Sequence, residues 1–289
     1  MALNSPSHRF GQIIGDILEE TMKEYLRPVT EQYSLFFDYR HPRNARRRQK
    51  EVRWVDINEN THKLDIVMEN NGDENRIGEP RVFIEIAWRR YTKHSKNKAQ
   101  EISGAIRPLI AKYSAHTPFF GAIVAGAFTQ NSINQMISEG FEVVYIPLNI
   151  IEKSFSVVGI DAHWDESTSE HTLQEKVDIY AKLSNNEVER IKIELLNLTS
   201  TQMELFRLKL CNSLERKIDV IKIISLYGSE SVFINVQEAC KFITNFKEVS
   251  YLQKFYKYEI YVHYSNGDKL EAQYADRNNV IIFLQSIGH

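Results

Sequence analysis

Cysteine is scarce. Cys211 and Cys240 are the only two among 289 residues, and neither sits in a His/Cys cluster. That excludes a disulfide-stapled scaffold and a zinc finger, and it fits a reducing compartment. No stretch approaches the ~18 uninterrupted apolar residues of a membrane helix. The opening MALNSPSHRF has no apolar signal-peptide core. A cytoplasmic protein without membrane partners is expected. Two catalytic signatures are also missing: no G-x-x-x-x-G-K-[ST] loop and no G-x-S-x-G elbow occurs. Their absence disfavours P-loop nucleotide hydrolysis and serine-hydrolase chemistry. The nine histidines are scattered without metal-ligand spacing, and no internal repeat or low-complexity tract is present.

What is present is ordinary for a globular chain: 43% hydrophobic residues, 26% charged residues and a formal net charge of −2. The length fits one large domain or two of ordinary size. Phe10, Ile13, Ile14, Ile17, Leu18, Met22, Tyr25 and Leu26 recur at spacings of three and four. They predict a helix from residue 8, interrupted or ended by Pro28, with a second short helical segment through Gln32 to Phe37. Strands are expected at 52–57, 64–68 and 82–88, the last two joined by the turn-rich ENNGDENRIGEP at 69–80. A helix over 95–113, a strand over 119–128, a short helix over 131–138 and a strand over 141–148 complete a mixed α/β order.

The polar stretch 161–171 marks the expected boundary between a domain of residues 1–160 and a second of 172–289. In the second, Ser184 with Glu187, Thr201 with Glu204 and Asn235 with Glu238 have capping-box spacing. They predict helices near 186–198, 202–226 and 236–247. Asn266-Gly267 between YEIYVHY and KLEAQY predicts a β-hairpin with Tyr258, Ile260, Val262 and Tyr264 on one face. A last helix covers 277–287. Tyr251, Phe255, Tyr256, Tyr258, Tyr261 and Tyr264, interleaved with Lys254 and Lys257, suit a core whose exposed members stack on bases or form an interface.

Two acids stand inside strongly apolar segments: Asp65 in LDIVM and Glu85 in FIEIAW. Burying an unpaired carboxylate is costly, so buried ones are paired or metal-bound. Carboxylates on neighbouring strands can converge on a hard cation such as Mg²⁺ or Mn²⁺, which activates water and stabilises charge on phosphate. A third acid can come from the first helix. Gly15 and Glu19 share a helical face, and a glycine there would let the helix approach the sheet, which favours Glu19 over Glu20.

At these residues the chain resembles the PD-(D/E)xK nuclease superfamily, the restriction-endonuclease-like fold. The likeness lies in the order of parts over roughly residues 8–150: an acid-bearing helix with Glu19 or Glu20, Asp65 on a strand, Glu85 on the next, and a helix holding Lys98, Gln100 and Glu101. It implies a mixed sheet flanked by helices and Mg²⁺- or Mn²⁺-dependent hydrolysis of DNA by an endonuclease of restriction or antiphage-defence type. Leu64 departs from the motif's proline. Ala87 stands where the motif has its lysine, whose role is to orient the attacking water and offset phosphate charge. Three explanations are compatible with Ala87: a lysine replaced to trap an inactive form, a role moved to Lys93, Lys96 or Lys98, or an inactive relative that only binds nucleic acid. Lys98 is the expected substitute in the catalytic set of Glu19, Asp65, Glu85 and position 87.

The near-zero net charge hides a local asymmetry. Residues 40–53 hold Arg40, Arg43, Arg46, Arg47, Arg48, Lys50 and Arg53 and no amphipathic period. They read as an exposed arm for phosphates, in which Arg43, Arg46, Arg47 and Arg48 would neutralise DNA charge. A second basic group, Arg89, Arg90, Lys93, His94, Lys96 and Lys98, follows Glu85 directly, and phosphate contacts by Arg89, Arg90, Lys93 and Lys96 would position a scissile bond near the metal. The C-terminal half, mainly helical and ending in the hairpin and helix, carries no catalytic motif. It suits homo-oligomerisation, docking to a partner subunit of a defence complex, or DNA recognition.

Overall fold

Ser5 and Pro6 start the first helix, α1 (Pro6–Gln32): the Ser5 hydroxyl accepts the His8 amide, and Pro6 occupies the first turn, where its missing N–H costs nothing. The structure, a computed structural model, describes residues 5–116, 118–215, 217–225, 229–248, 255–265 and 267–288, without the side chains of His94 and Ala115. Pro28 lies inside α1 and does not end it. The lost backbone bond is offset by burial of Leu26, Val29 and Thr30 around it. The segment expected to continue as helix is instead a strand, β1 (Phe36–Tyr39). Ser34 takes a left-handed conformation that turns the chain out of the helix.

A small hairpin, β2 (Val52–Val55) and β3 (Thr61–Leu64), precedes β4 (Ile66–Asn70) and the long β5 (Glu79–Arg89). Then come α2 (Ser95–Lys112), β6 (Phe119–Gly126), α3 (Gln130–Ser138), β7 (Glu142–Pro147) and α4 (Leu148–Ser156). The strands form a mixed sheet in the order β1-β4-β5-β6-β7. β1, β4 and β5 run antiparallel, and β5, β6 and β7 run parallel. Helices flank the sheet. Ala99, Ile102, Ile106 and Leu109 of α2, with Ile133 and Met136 of α3, cover Phe83, Ala87, Ala122 and Val124 on one face. The period-2 alternation of a strand sends Ile84, Ile86 and Trp88 to the other face, where Trp88 meets Trp164 and Trp164 meets Phe10 of α1.

The chain divides into two compact units, Met1–Leu210 and Cys211–His289. The 161–171 stretch lies within the first and leads into α5 (Glu170–Tyr180), then α6 (Asn185–Glu215). The Ser184/Glu187 capping box forms in both directions. Thr201 and Glu204 sit within α6, because no glycine or proline interrupts that helix. The expected helix to 226 gives way to β8 (Ile218–Ser225), whose Ile and Val residues alternate in burial, and β9 (Glu230–Phe233) follows. Asn235 caps α7 (Val236–Asn245) as its spacing implied. β10 (Tyr258–Tyr264) and β11 (Lys269–Tyr274) pair as a hairpin, and α8 (Arg277–Ile287) closes the chain. The four strands of this unit are all antiparallel in the order β11-β10-β8-β9. Tyr258, Ile260, Val262 and Tyr264 are buried together, as the alternation predicted. Tyr251, Lys254 and Asn266 lie outside the described residues.

The basic run 40–53 is not a free arm. Arg43 is 0% exposed. Its guanidinium is bidentate to Glu69 at 2.6 and 2.9 Å, contacts Asp38 at 2.8 Å, and donates to the Asp73 and Arg76 carbonyls. Burial alone would lower its pKa, but the hydrogen bonds and charges of Glu69 and Asp38 raise it. Arg46 pairs with Asp38 and donates to the His41 carbonyl at 2.9 Å. Both arginines were expected at a DNA surface. They are instead consumed in holding the run to β1, β4 and the turn before β5. Removing one partner of a buried pair leaves its charge uncompensated, at about 3–5 kcal/mol. Arg43→Met is therefore expected to lower unfolding free energy by about that amount in urea denaturation. Arg47→Ala, at an exposed position, should leave it unchanged.

Candidate active site

The last matched residues of β4 and β5 are Ile66 and Ile84. One register step beyond, Asp65 stands opposite Glu85. The two lie close enough for the charge of Asp65 to act on Glu85. β3 ends at Leu64 and β4 begins at Ile66, so Asp65 is the single residue at a break, not part of one continuous strand. Past Ile84 no described strand pairs with β5 on this side, whereas its pairing with β6 continues to Arg89. On that freed edge Asp65 Oδ2 accepts the Ile86 N–H at 2.7 Å.

Glu85 is buried and Asp65 half-buried. Glu85 is 5% exposed, and its Oε1 is buried without a hydrogen-bond partner. Burial, then the charge of Asp65, pushes the Glu85 pKa well above the usual carboxylate range, against the pull of Lys98. Burial also raises Asp65, to about 6, with Glu19 adding to the rise and the Ile86 amide and Lys98 opposing it. Lys98 enters from the first turn of α2. Its Nζ lies 4.0 Å from Glu85 Oε2 and 3.2 Å from Glu101 Oε1. Ala87, two residues along β5 from Glu85 and so on the same face, is 3% exposed among Phe83, Ala99 and Val124. The charge absent at 87 thus arrives at the acids from the helix packed on that face.

This donor set fits a hard divalent cation: two facing desolvated carboxylates, one with an oxygen lacking any partner. Mg²⁺ is commonly held by one or two carboxylates with waters and substrate phosphate completing the shell. Among the described residues no group of three or more His, Cys, Asp or Glu side chains is gathered to hold a metal ion.

Glu19 and Glu20 separate clearly. Glu19 pairs with Lys23 at 3.3 Å and its charge reaches Asp65. Glu20 points to Lys192 of α6, 3.8 Å away. Gly15 does not serve a close approach to the sheet, since a Cβ there would meet nothing within 4 Å. Glu19 instead lines a cleft of about 510 Å³ with Gln12, Gly15 and Asp16 of α1, Ile86 to Tyr91 at the end of β5, and Trp164. Arg89 and Arg90 belong to this cleft, and neither forms an ion pair with a described residue. Gly126 permits the placement: its positive φ suits glycine, and a Cβ there would collide with the Arg89 carbonyl. Arg47, Arg48 and Lys96 are exposed, and Lys93 reaches Glu166 at 3.8 Å. The His94 side chain lies outside the described set. Gln12, Asp16 and Trp164 were missed in the sequence. Trp164 carried a signal, as the one aromatic residue in DAHWDESTSEH.

No family model and no curated protein matches this chain. Among solved structures, the crystal structure of a protein of unknown function, AF1548, is similar over 64% of this chain and 99% of its own, at 11% identity and a TM-score of 0.30. No helix among the described residues is long and apolar enough to cross a membrane.

Raised carboxylate pKa values set the sign of a pH effect. Below the unfolded value of about 4 both folded and unfolded chains hold the protons. Between that and about 6 for Asp65, the folded form binds more, so stability falls as pH rises through this window. Asp65→Asn retains an acceptor for the Ile86 amide and removes the charge. In EDTA it is expected to be about 2–3 kcal/mol more stable than the parent at pH 8, a difference shrinking toward pH 4. Equal or lower stability at pH 8 in urea titrations would contradict this electrostatic picture.

Proposed function

We propose that this chain is a Mg²⁺- or Mn²⁺-dependent endonuclease that hydrolyses DNA phosphodiesters, with Asp65 and Glu85 as the metal-holding pair. The observation that carries the reading is the pairing of buried Glu85, one oxygen without a partner, with half-buried Asp65, beside a lysine amine 4.0 Å from Glu85. A fold that buries two like charges against each other, with too little cation to neutralise them, gains by admitting a cation. Bound there, a divalent ion supplies charge stabilisation on the phosphate and an acidified water.

The chain's own residues carry the remaining work. Asp65 is held by the Ile86 amide, so its free oxygen keeps a fixed direction. Lys98 Nζ, 4.0 Å from Glu85, donates to a phosphate oxygen or to the attacking water, the duty the superfamily motif gives to the residue at 87. Glu19, with charge felt at Asp65, holds water at the open side of the pair. Arg89 and Arg90, unneutralised by described acids, and the exposed Arg47 and Arg48 take backbone phosphates by charge-assisted contacts. Restriction or antiphage defence is the setting this reading suggests, by its resemblance to that superfamily. A binding or assembly subunit without cleavage is the second reading, favoured by the burial of Ala87 in apolar surroundings.

Plasmid DNA incubated with the full chain in Mg²⁺, Mn²⁺ or EDTA separates these readings. Cleavage is expected with metal only. Asp65→Ala and Glu85→Ala should abolish it, and Lys98→Ala should slow it by about 10²–10⁴, the usual contribution of one positioned proton-transfer group. Ala87→Lys combined with Lys98→Ala should recover part of the rate. Salt-sensitive DNA binding with no cleavage by the parent or by Ala87→Lys would overturn the enzyme reading and leave the binding subunit.

A further inference from the structure

The cleft beside the acids is larger and chemically richer than a phosphate contact requires. Its volume, about 510 Å³, falls in the roughly 300–1,000 Å³ range of small-ligand pockets. One wall is cationic and aromatic. Arg90 lies over the Trp164 ring, 5.0 Å from its centroid, and 5.6 Å from that of Tyr91, while its Nε is buried without a hydrogen-bond partner. Arg89 and Trp88 adjoin it. The opposite wall is the first turns of α1, where Ser7, His8, Gln12 and Asp16 offer neutral and acidic hydrogen-bonding groups. Gly15 leaves the space between the walls open, since a Cβ added there would meet nothing within 4 Å. The cleft adjoins Asp65 through two of its lining residues: the Ile86 amide donates to Asp65, and the Glu19 charge reaches it.

We infer that this cleft is a nucleotide subsite, which takes a deoxynucleotide neighbouring the scissile bond, with its phosphate on Arg89 and Arg90 and its unstacked base between Tyr91 and the polar face of α1. The inference rests on the nuclease reading of the adjoining acids for its place in a reaction, but not for the binding itself. Two guanidinium groups without a described ion-pair partner can take an anion, yet a bare phosphate would leave most of the cleft empty. Aromatic rings and a planar guanidinium stack on any base, and base stacking is the sequence-tolerant part of single-strand recognition. Side chains of Gln12 and Asp16 present acceptors, and Gln12 a donor as well, for the edge of a base. A ligand anionic at one end, flat and hydrogen-bonding at the other, matches both walls.

Isothermal titration calorimetry of the full chain in EDTA tests this with three probes: dAMP, 2-deoxyribose 5-phosphate and inorganic phosphate. dAMP is expected to bind about tenfold or more tighter than deoxyribose phosphate, the gain one stacked base brings. Arg90→Ala should weaken both. Tyr91→Ala should weaken dAMP alone. Gly15→Leu fills the cleft from a helix position that favours leucine over glycine, so it should remove dAMP binding while the thermal midpoint holds or rises. Equal affinity for all three probes, or dAMP binding indifferent to Gly15→Leu, would overturn the subsite. Because the titration needs neither metal nor cleavage, the two readings fail separately. Base-dependent binding without DNA cleavage would sink the nuclease and leave the subsite, whereas cleavage without base-dependent binding would sink the subsite alone.

Discussion

A buried carboxylate, Glu85, beside a half-buried one, Asp65, is the constraint around which the candidate site is organised. Neither is cheap to bury, and each makes the other more costly by its charge. Asp65 sits where the hairpin β2–β3 hands over to β4, and Glu85 sits where β5 loses its partner on that side. The divergence of the strands frees the Ile86 amide for Asp65 and opens the edge along which the cleft runs. α2 adds Lys98 from the face that buries Ala87. Sheet pairing and helix packing therefore meet at one pair of acids, of which Glu85 keeps an oxygen without a partner.

A second acidic cluster in the same sheet shows the contrast. Asp38 and Glu69 are fully buried, on β1 and β4. There Arg43 and Arg46 supply the missing charge and the hydrogen bonds, and the cluster ties the 40–53 run to the sheet. Buried charge compensated in this way serves structure. At Glu85 the nearest cation is a lysine 4.0 Å away, with no arginine bonded to the carboxylate, and the proposed cation site rests on that difference. The same contrast separates the arginines. Arg43 has six polar contacts to described atoms, whereas Arg89 and Arg90 form no ion pair with a described acid.

Much of this was legible in the sequence, where the signal was periodic or local. α2, β6 and α3 follow from apolar spacing, and the β10–β11 hairpin from Asn266-Gly267 between alternating segments. Asp65 and Glu85 stood out because apolar residues surround them, and Lys98 because it opens the next helix. Other features depend on tertiary context. Phe36-Phe37-Asp38-Tyr39 carries too short a pattern to tell a strand from a helical tail, and a buried aspartate gives no local sign of its arginine partners. Dense arginine read as a surface arm because composition is blind to burial, while Arg43 was placed by acids 5 and 26 residues away. Pro28 and Pro108 stand inside helices that packing maintains across them. The cleft escaped notice because its walls come from three distant stretches, residues 5–19, 86–91 and 164.

The central claim is that Asp65 and Glu85 together make a cation site. Calorimetric titration of the full chain with Mn²⁺ tests it without requiring the right DNA. The account predicts saturable binding that is lost in both Asp65→Asn and Glu85→Gln and retained in Lys98→Ala. Absence of binding, or binding unchanged by the two acid substitutions, would contradict it.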